Sequence, residues 1–247
     1  MPIELQRYTP QVGEQCGLAA FVDVETTGLS PQSDEVVEFA TALFAFDRTS
    51  GRIKGVVDEY VGLRDPGRSI PAKATEVHGI RDHDVRGKRL DDGRILELMS
   101  QAEFLVAHNA PFDSGFVERL YPEAADKTWL CSMREIPWIQ KGFESRGLQN
   151  LLKDHGIKPG RAHRGRYDVR AALQLLSCKD EDGVYYFKHL LDCHEGRAPA
   201  AQAAATRAPV ASVGRTRTAK AAKTARAPKG RISLIERVLR LFMKRDR

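Results

Sequence analysis

Residues 18–29 read LAAFVDVETTGL. Leu18 to Val22, with Val24, make an apolar run of strand length, and such a run implies a strand buried in the middle of a sheet. Asp23 and Glu25 interrupt it at its end. Residues two apart on a strand share a face, so the two carboxylates stand side by side, about 7 Å apart along the backbone, at the rim of an apolar core. Like charges in a dry site repel and lose hydration; a cation relieves both costs. Oxygen-rich sites suit magnesium or manganese. The same pair also reads as the solvated end of an ordinary strand. Thr26-Thr27-Gly28 then turns the chain and leaves backbone N–H groups near the acids.

Outward from this strand the pattern is α/β. Residues 35–46 and 52–61 read as two further strands, joined by the turn DRTSG at 47–51, which predicts an antiparallel meander. A loop and one short helix span 66–80, with Pro71 in the first turn. A helix at 91–101 leads to a short strand, 102–107, and a helix at 111–120 is opened by Pro111. Residues 128–131 read as a parallel strand. Leucine spacing predicts a helix over 146–155 that stops at Gly156. Helices follow at 166–178 and 184–193, the last packing on the sheet. Strands first and strand–helix alternation afterwards imply a mixed central sheet of antiparallel then parallel strands, flanked by helices.

The chain has 247 residues, enough for one sizeable domain with extensions. Its net charge of +6 hides a split: residues 197–247 carry 14 basic and 2 acidic side chains, and residues 1–196 carry 25 basic and 31 acidic. An acidic body is a poor candidate for gripping nucleic acid by bulk charge, but it is compatible with local capture of a short strand. No run approaches the roughly 20 apolar residues of a membrane span, and MPIELQRYTP lacks the pattern of a secretory signal. Four scattered cysteines without C-x-x-C spacing suit reduced thiols in a cytoplasmic protein. The expected organisation is a polar lead-in at 1–16, a catalytic domain at 17–195, a disordered basic linker at 196–230 and a basic amphipathic helix at 231–247.

Two further motifs carry polar chemistry. HNAPFD, 108–113, ends a strand and puts Asp113 in the first turn of a helix, where free N–H groups favour a carboxylate with or without a catalytic role. Asn109 reads as an N-cap or turn residue. HRGRYD, 163–168, places His163 on a loop and Asp168 near a helix start. A loop imidazole beside metal-binding acids is suited to take a proton from water, though His163 alone also reads as a surface histidine.

Together, FVDVETTG, HNAPFD and HRGRYD resemble the DEDDh (DnaQ-like) 3′–5′ exonuclease superfamily, which includes the proofreading subunit of bacterial DNA polymerase III, ribonuclease T and exonuclease X. VHGI at 77–80, WLCSM at 129–133 and GLQNLLKDHGI at 147–157 add to the resemblance, which covers about residues 17–178. Gly165 departs from it: relatives usually have alanine there, and glycine is expected to loosen the loop or the helix start. The resemblance implies a ribonuclease H-like fold and two magnesium or manganese ions about 3.5–4 Å apart, held by Asp23, Glu25, Asp113 and Asp168. It implies that His163 deprotonates a water that attacks the terminal phosphodiester and releases a nucleoside 5′-monophosphate. Thr26, Thr27, Gly28 and Leu29 are then candidates for seating the 3′ end, Leu29 as a wedge against the last base.

Phe112 reads first as core and second as a base contact; His78 either contacts a base or caps its own loop. Arg161, Arg164 and Arg166 either steer phosphate or form an ordinary basic loop. The expected substrate is single-stranded DNA with a free 3′ end, in proofreading, repair or turnover. RNA trimming by the same fold and a noncatalytic binding module are the alternatives. The 231–247 helix reads as a docking element for a replication or repair protein, a membrane surface or DNA.

Overall fold

A computed structural model of the protein describes residues 5–11, 14–158 and 165–197. His163, Arg161, Arg164, residues 198–230 of the expected basic linker and the 231–247 helix lie outside them, while residues 196 and 197, expected to open the linker, end the last described helix.

Five strands form one mixed sheet in the order β3-β2-β1-β4-β5. They are β1 (Gly17–Thr26), β2 (Val36–Phe46), β3 (Ile53–Leu63), β4 (Phe104–Ala107) and β5 (Thr128–Cys131). β1, β2 and β3 pair antiparallel as a meander. β4 joins β1 in parallel, and β5 joins β4 in parallel. β1 is therefore the middle strand, and all eleven residues of β2 are buried. This is the mixed α/β architecture expected from the sequence.

The helices are α1 (Ala72–His78), α2 (Asp82–Val85), α3 (Asp92–Gln101), α4 (Ala110–Leu120), α5 (Ser132–Glu135), α6 (Leu148–Asp154), α7 (Gly165–Leu176) and α8 (Tyr186–Arg197). Strand alternation sorts them between the two sheet faces. On β1, Ala20, Val22 and Val24 face one cluster with Ile95 and Leu98 of α3 and Phe116 and Val117 of α4. Ala19 and Phe21 face the other, with Val169, Ala172 and Leu173 of α7 and Phe187 and Leu190 of α8. Asp23 and Glu25 continue this second row, so they emerge at the end of β1 on the α7 side.

Residues 183–192, outside the recognisable motifs, now have a structural role. Phe187 packs edge-on against Phe44 and Phe46 at 5.2 and 5.0 Å. Asp180 anchors the turn before α8: its Oδ2 accepts from Lys141 Nζ at 2.5 Å and from His189 Nε2 at 2.7 Å, while Oδ1 accepts the Val184 N–H at 2.9 Å.

The lead-in is less loose than its composition suggests. Residues 6–8 lie along β3, where Tyr8 N–H donates to Val56 O and Val56 N–H to Gln6 O. The edge strand of the meander is thereby paired at Val56, which satisfies both backbone groups of that residue. No helix among the described residues is long and apolar enough to cross a membrane.

Candidate active site

One ligand atom from each of Asp23, Glu25 and Asp168 lies within 4.8 Å of the other two. The first two come from the end of β1 and the third from the first turn of α7. α7 packs across β1 and β2, and that crossing brings its N-terminal turn over the strand end.

Asp113 arrives by a different route. The β1–β4 pairing ends at Phe21–Val106, so beyond it that edge of β1 has no strand partner. α4 begins there, and buried Asp113 takes the place of the missing strand: its Oδ1 accepts the Val24 N–H at 3.3 Å. The fourth acid is thus tied to the backbone between Asp23 and Glu25.

The electrostatics are those of clustered, buried acids. Burial, then the charges of Glu25, Asp113, Asp168 and Glu38, push the Asp23 carboxyl well above the usual range. Burial raises Asp113 to about 7 against the opposing bond from Val24 N–H. Asp23 Oδ2 is buried and makes no hydrogen bond. A buried acceptor without a donor is costly, and a divalent cation among hard oxygen ligands satisfies it. The residues present therefore fit the metal site expected from their spacing.

Glu38 is a fifth acid near the site, and it is not evident in the three motifs. It sits opposite Glu25 in the β1–β2 register and is 2% exposed. Its Oε2 accepts the Gly165 N–H at 2.7 Å, capping α7 from the neighbouring strand. The sequence signal was the one charged residue in a mostly apolar β2. Gly165 has a packing reason as well: a Cβ there would stand 2.5 Å from Ala40 Cβ. The glycine permits close approach of α7 to β2, so the expectation that it loosens the helix start is replaced by one of tight seating.

The turn after β1 is braced. Thr27 is buried; its N–H donates to Glu35 O, and its hydroxyl oxygen accepts from Glu35 N–H and from Arg68 at 2.6 Å. Thr26 donates to Gly28 O at 2.5 Å. Gly28 lies against Asp34, whose carboxyl group would be 2.5 Å from an added Cβ. Asp34 in turn accepts from Ser30 N–H and Arg68, and Arg119 holds the carbonyls of Pro31 and Asp34. Leu29 projects from this rigid turn at 40% exposure. Of the four residues assigned to the 3′ end, Leu29 is thus displayed, while the Thr27 side chain faces inward.

His78 is buried, and its Nδ1 accepts the Ile80 N–H at 3.0 Å. It therefore caps its own loop. Phe112 is half-buried against the α3–α4 cluster and 5.1 Å from the core ring of Phe116. Asn109 occupies the N-cap position of α4 but makes no capping bond; its Oδ1 is buried with no hydrogen-bond partner. His108 lies beside this turn. Its Nε2 contacts Arg146 O at 2.8 Å and its Nδ1 contacts Ser132 Oγ at 2.9 Å. A carbonyl only accepts, so Nε2 carries the proton and Ser132 donates to Nδ1. Burial pushes this imidazole down to about 4, which keeps it neutral.

A mixed sheet with acids gathered at the end of its middle strand defines a ribonuclease H-like nuclease fold. The exonuclease family model matches residues 20–176, and the chain belongs to that family, within the DEDDh DnaQ-like 3′–5′ exonuclease superfamily. Among curated proteins it is 32% identical over 169 residues to the PolC-type DNA polymerase III of Thermotoga maritima, covering 65% of this chain and 12% of that one. The Bacillus subtilis PolC-type polymerase is 29% identical over 181 residues, covering 68% and 12%. The chain thus spans about an eighth of these relatives' length. Among solved structures, E. coli exonuclease I in complex with a dT13 oligonucleotide shares the fold at a TM-score of 0.53 and 20% identity, covering 65% of this chain and 41% of that one.

Proposed function

We propose that the protein is a metal-dependent 3′–5′ exonuclease acting on single-stranded DNA. The observation that carries this reading is the convergence of Asp23, Glu25 and Asp168 within 4.8 Å, with a buried, unpartnered oxygen on Asp23. These three acids and Asp113 would hold magnesium or manganese, which when bound neutralises phosphate charge and acidifies water. Asp23, at the middle of the four, serves the whole site, while Asp113 also holds the β1 backbone at Val24.

His163, read from its motif, takes the proton of the attacking water. The new bond forms between water oxygen and the terminal phosphorus. The bond to the 3′ oxygen breaks, and that oxygen leaves with a proton as the new 3′ hydroxyl, releasing a nucleoside 5′-monophosphate. Leu29, exposed on its braced turn, would wedge against the last base, and Asn109 would contact the strand. The DNA named with the exonuclease I structure and the DNA polymerase relatives favour deoxyribose over ribose.

The test is incubation of the full chain with 5′-labelled single-stranded DNA and RNA, with magnesium or manganese. Progressive shortening of DNA from the 3′ end, with mononucleotide release, is expected. Failure to shorten either strand with either metal overturns the reading, and preference for RNA replaces its substrate. Asp23→Ala is expected to abolish turnover with the fold intact by circular dichroism.

A further inference from the structure

We propose that Gln149 is a positioning residue for the Asp168 carboxylate. Its side-chain Nε2 donates to Asp168 Oδ1 at 2.9 Å. The two residues are 19 apart in sequence, on α6 and α7, which pack together. A carboxylate at the start of a helix turns easily about its last bond, presenting either oxygen. The directed hydrogen bond from Gln149 to Oδ1 restricts that freedom. Asp168 thereby holds a fixed orientation toward Asp23 and Glu25, the two acids it meets within 4.8 Å.

Gln149 is itself held. The turn before α6 is closed on Ser145, whose Oγ accepts from Gly147 N–H at 3.1 Å and from the Asn150 side-chain amide at 3.0 Å. The adjacent carbonyl of Arg146 receives the His108 Nε2–H at 2.8 Å. His108 stands at the end of β4, one residue before the α4 N-cap, so the second motif is linked through α6 to the third. The donor's chemistry also matters. A glutamine amide is neutral: it orients the carboxylate without cancelling its charge, whereas lysine or arginine would replace the cation that the site needs.

The proposal rests on the metal-site reading of the three acids, and its test separates the two. Manganese binding to the full chain is measured by loss of the free-ion electron paramagnetic resonance signal. The proteins are wild type, Gln149→Met, Asp168→Asn and the double variant, with melting in chelator as the folding control. Methionine keeps the length of glutamine and removes the donor. Gln149→Met is expected to weaken manganese binding about 10–100-fold and to raise the metal concentration for half-maximal cleavage, leaving KM for the strand unchanged. In the Asp168→Asn background the same change is expected to have no further effect on manganese affinity. Wild-type affinity in Gln149→Met overturns the proposal, as does an equal loss in both backgrounds. If wild type binds manganese and Gln149→Met binds it more weakly while neither cleaves, the exonuclease reading falls and the positioning role stands. If wild type binds no manganese, both fall.

Discussion

Asp113 gives the strongest quantitative test of the acidic site. Burial holds its carboxyl at about 7, against 3.8 for an ordinary aspartate. That gap corresponds to on the order of 4 kcal/mol between protonated and ionised forms. The sign follows from the direction. The folded protein binds the proton more tightly than the unfolded chain, so the contribution is fully present below about pH 4 and is lost as pH rises through about 7. Between about pH 5 and about pH 8 the metal-free protein should lose on the order of 2–3 kcal/mol from this group. For a domain of this size that lowers the melting temperature by about 5–10 °C. Asp113→Asn keeps an oxygen for the Val24 N–H and removes the titration, so its melting temperature should fall much less over the same range. On the proposed reading magnesium would bind the ionised site, so it should stabilise wild type more at the higher pH. The assay is thermal unfolding by circular dichroism in chelator and in magnesium. Equal pH dependence in wild type and Asp113→Asn, both in chelator, would refute the reasoning.

Gly165→Ala places a methyl 2.5 Å from Ala40 Cβ; it should cost about 1–3 kcal/mol by denaturant unfolding, with recovery when combined with Ala40→Gly. Asp180 is 3% exposed in its side chain and bonded to Lys141 and His189. Asp180→Asn should cost about 3 kcal/mol at neutral pH. Burial alone would raise the Asp180 carboxyl, but the bonds from Lys141, Val184 N–H and His189 outweigh it and hold it well below 3.8. The wild-type advantage is thus present above about pH 4 and should shrink as denaturation is repeated in more acidic buffer. Leu29→Ser removes an exposed side chain, so stability should change by no more than about 0.5 kcal/mol, while kcat/KM on single-stranded DNA should fall about tenfold if it seats the last base.

Much of the site was legible because its chemistry is local. The apolar run before Asp23 reads as a buried strand, and alternation put Asp23 and Glu25 on one face. Asp113 and Asp168 were each readable as first-turn acids, and both occur there. Most element edges moved by a residue or two, as at β3, which runs to Leu63, but the last described helix runs four residues beyond its expected end to Arg197, and the one-turn helices α2 and α5 were not read from the sequence. The lead-in was harder: its residues are polar, and their attachment to β3 uses backbone bonds that side-chain pattern does not encode.

The sequence by itself determined the five strands, six of the eight described α-helices, the local placement of the four acids and the kinship with the exonuclease family, since periodicity and short motifs are properties of neighbouring residues. Only the tertiary structure decided how these acids meet: Asp113 substitutes for a strand partner at Val24, and α7 sits close enough to β2 that position 165 must lack a side chain. It also decided which ambiguous residues face inward, Thr27 and His78 among them, and brought in Glu38 and Gln149. The roles of Gln149 and Glu38 depend on contacts across 19 and 127 positions. Such contacts are set by packing of sheet against helix, which no local pattern records.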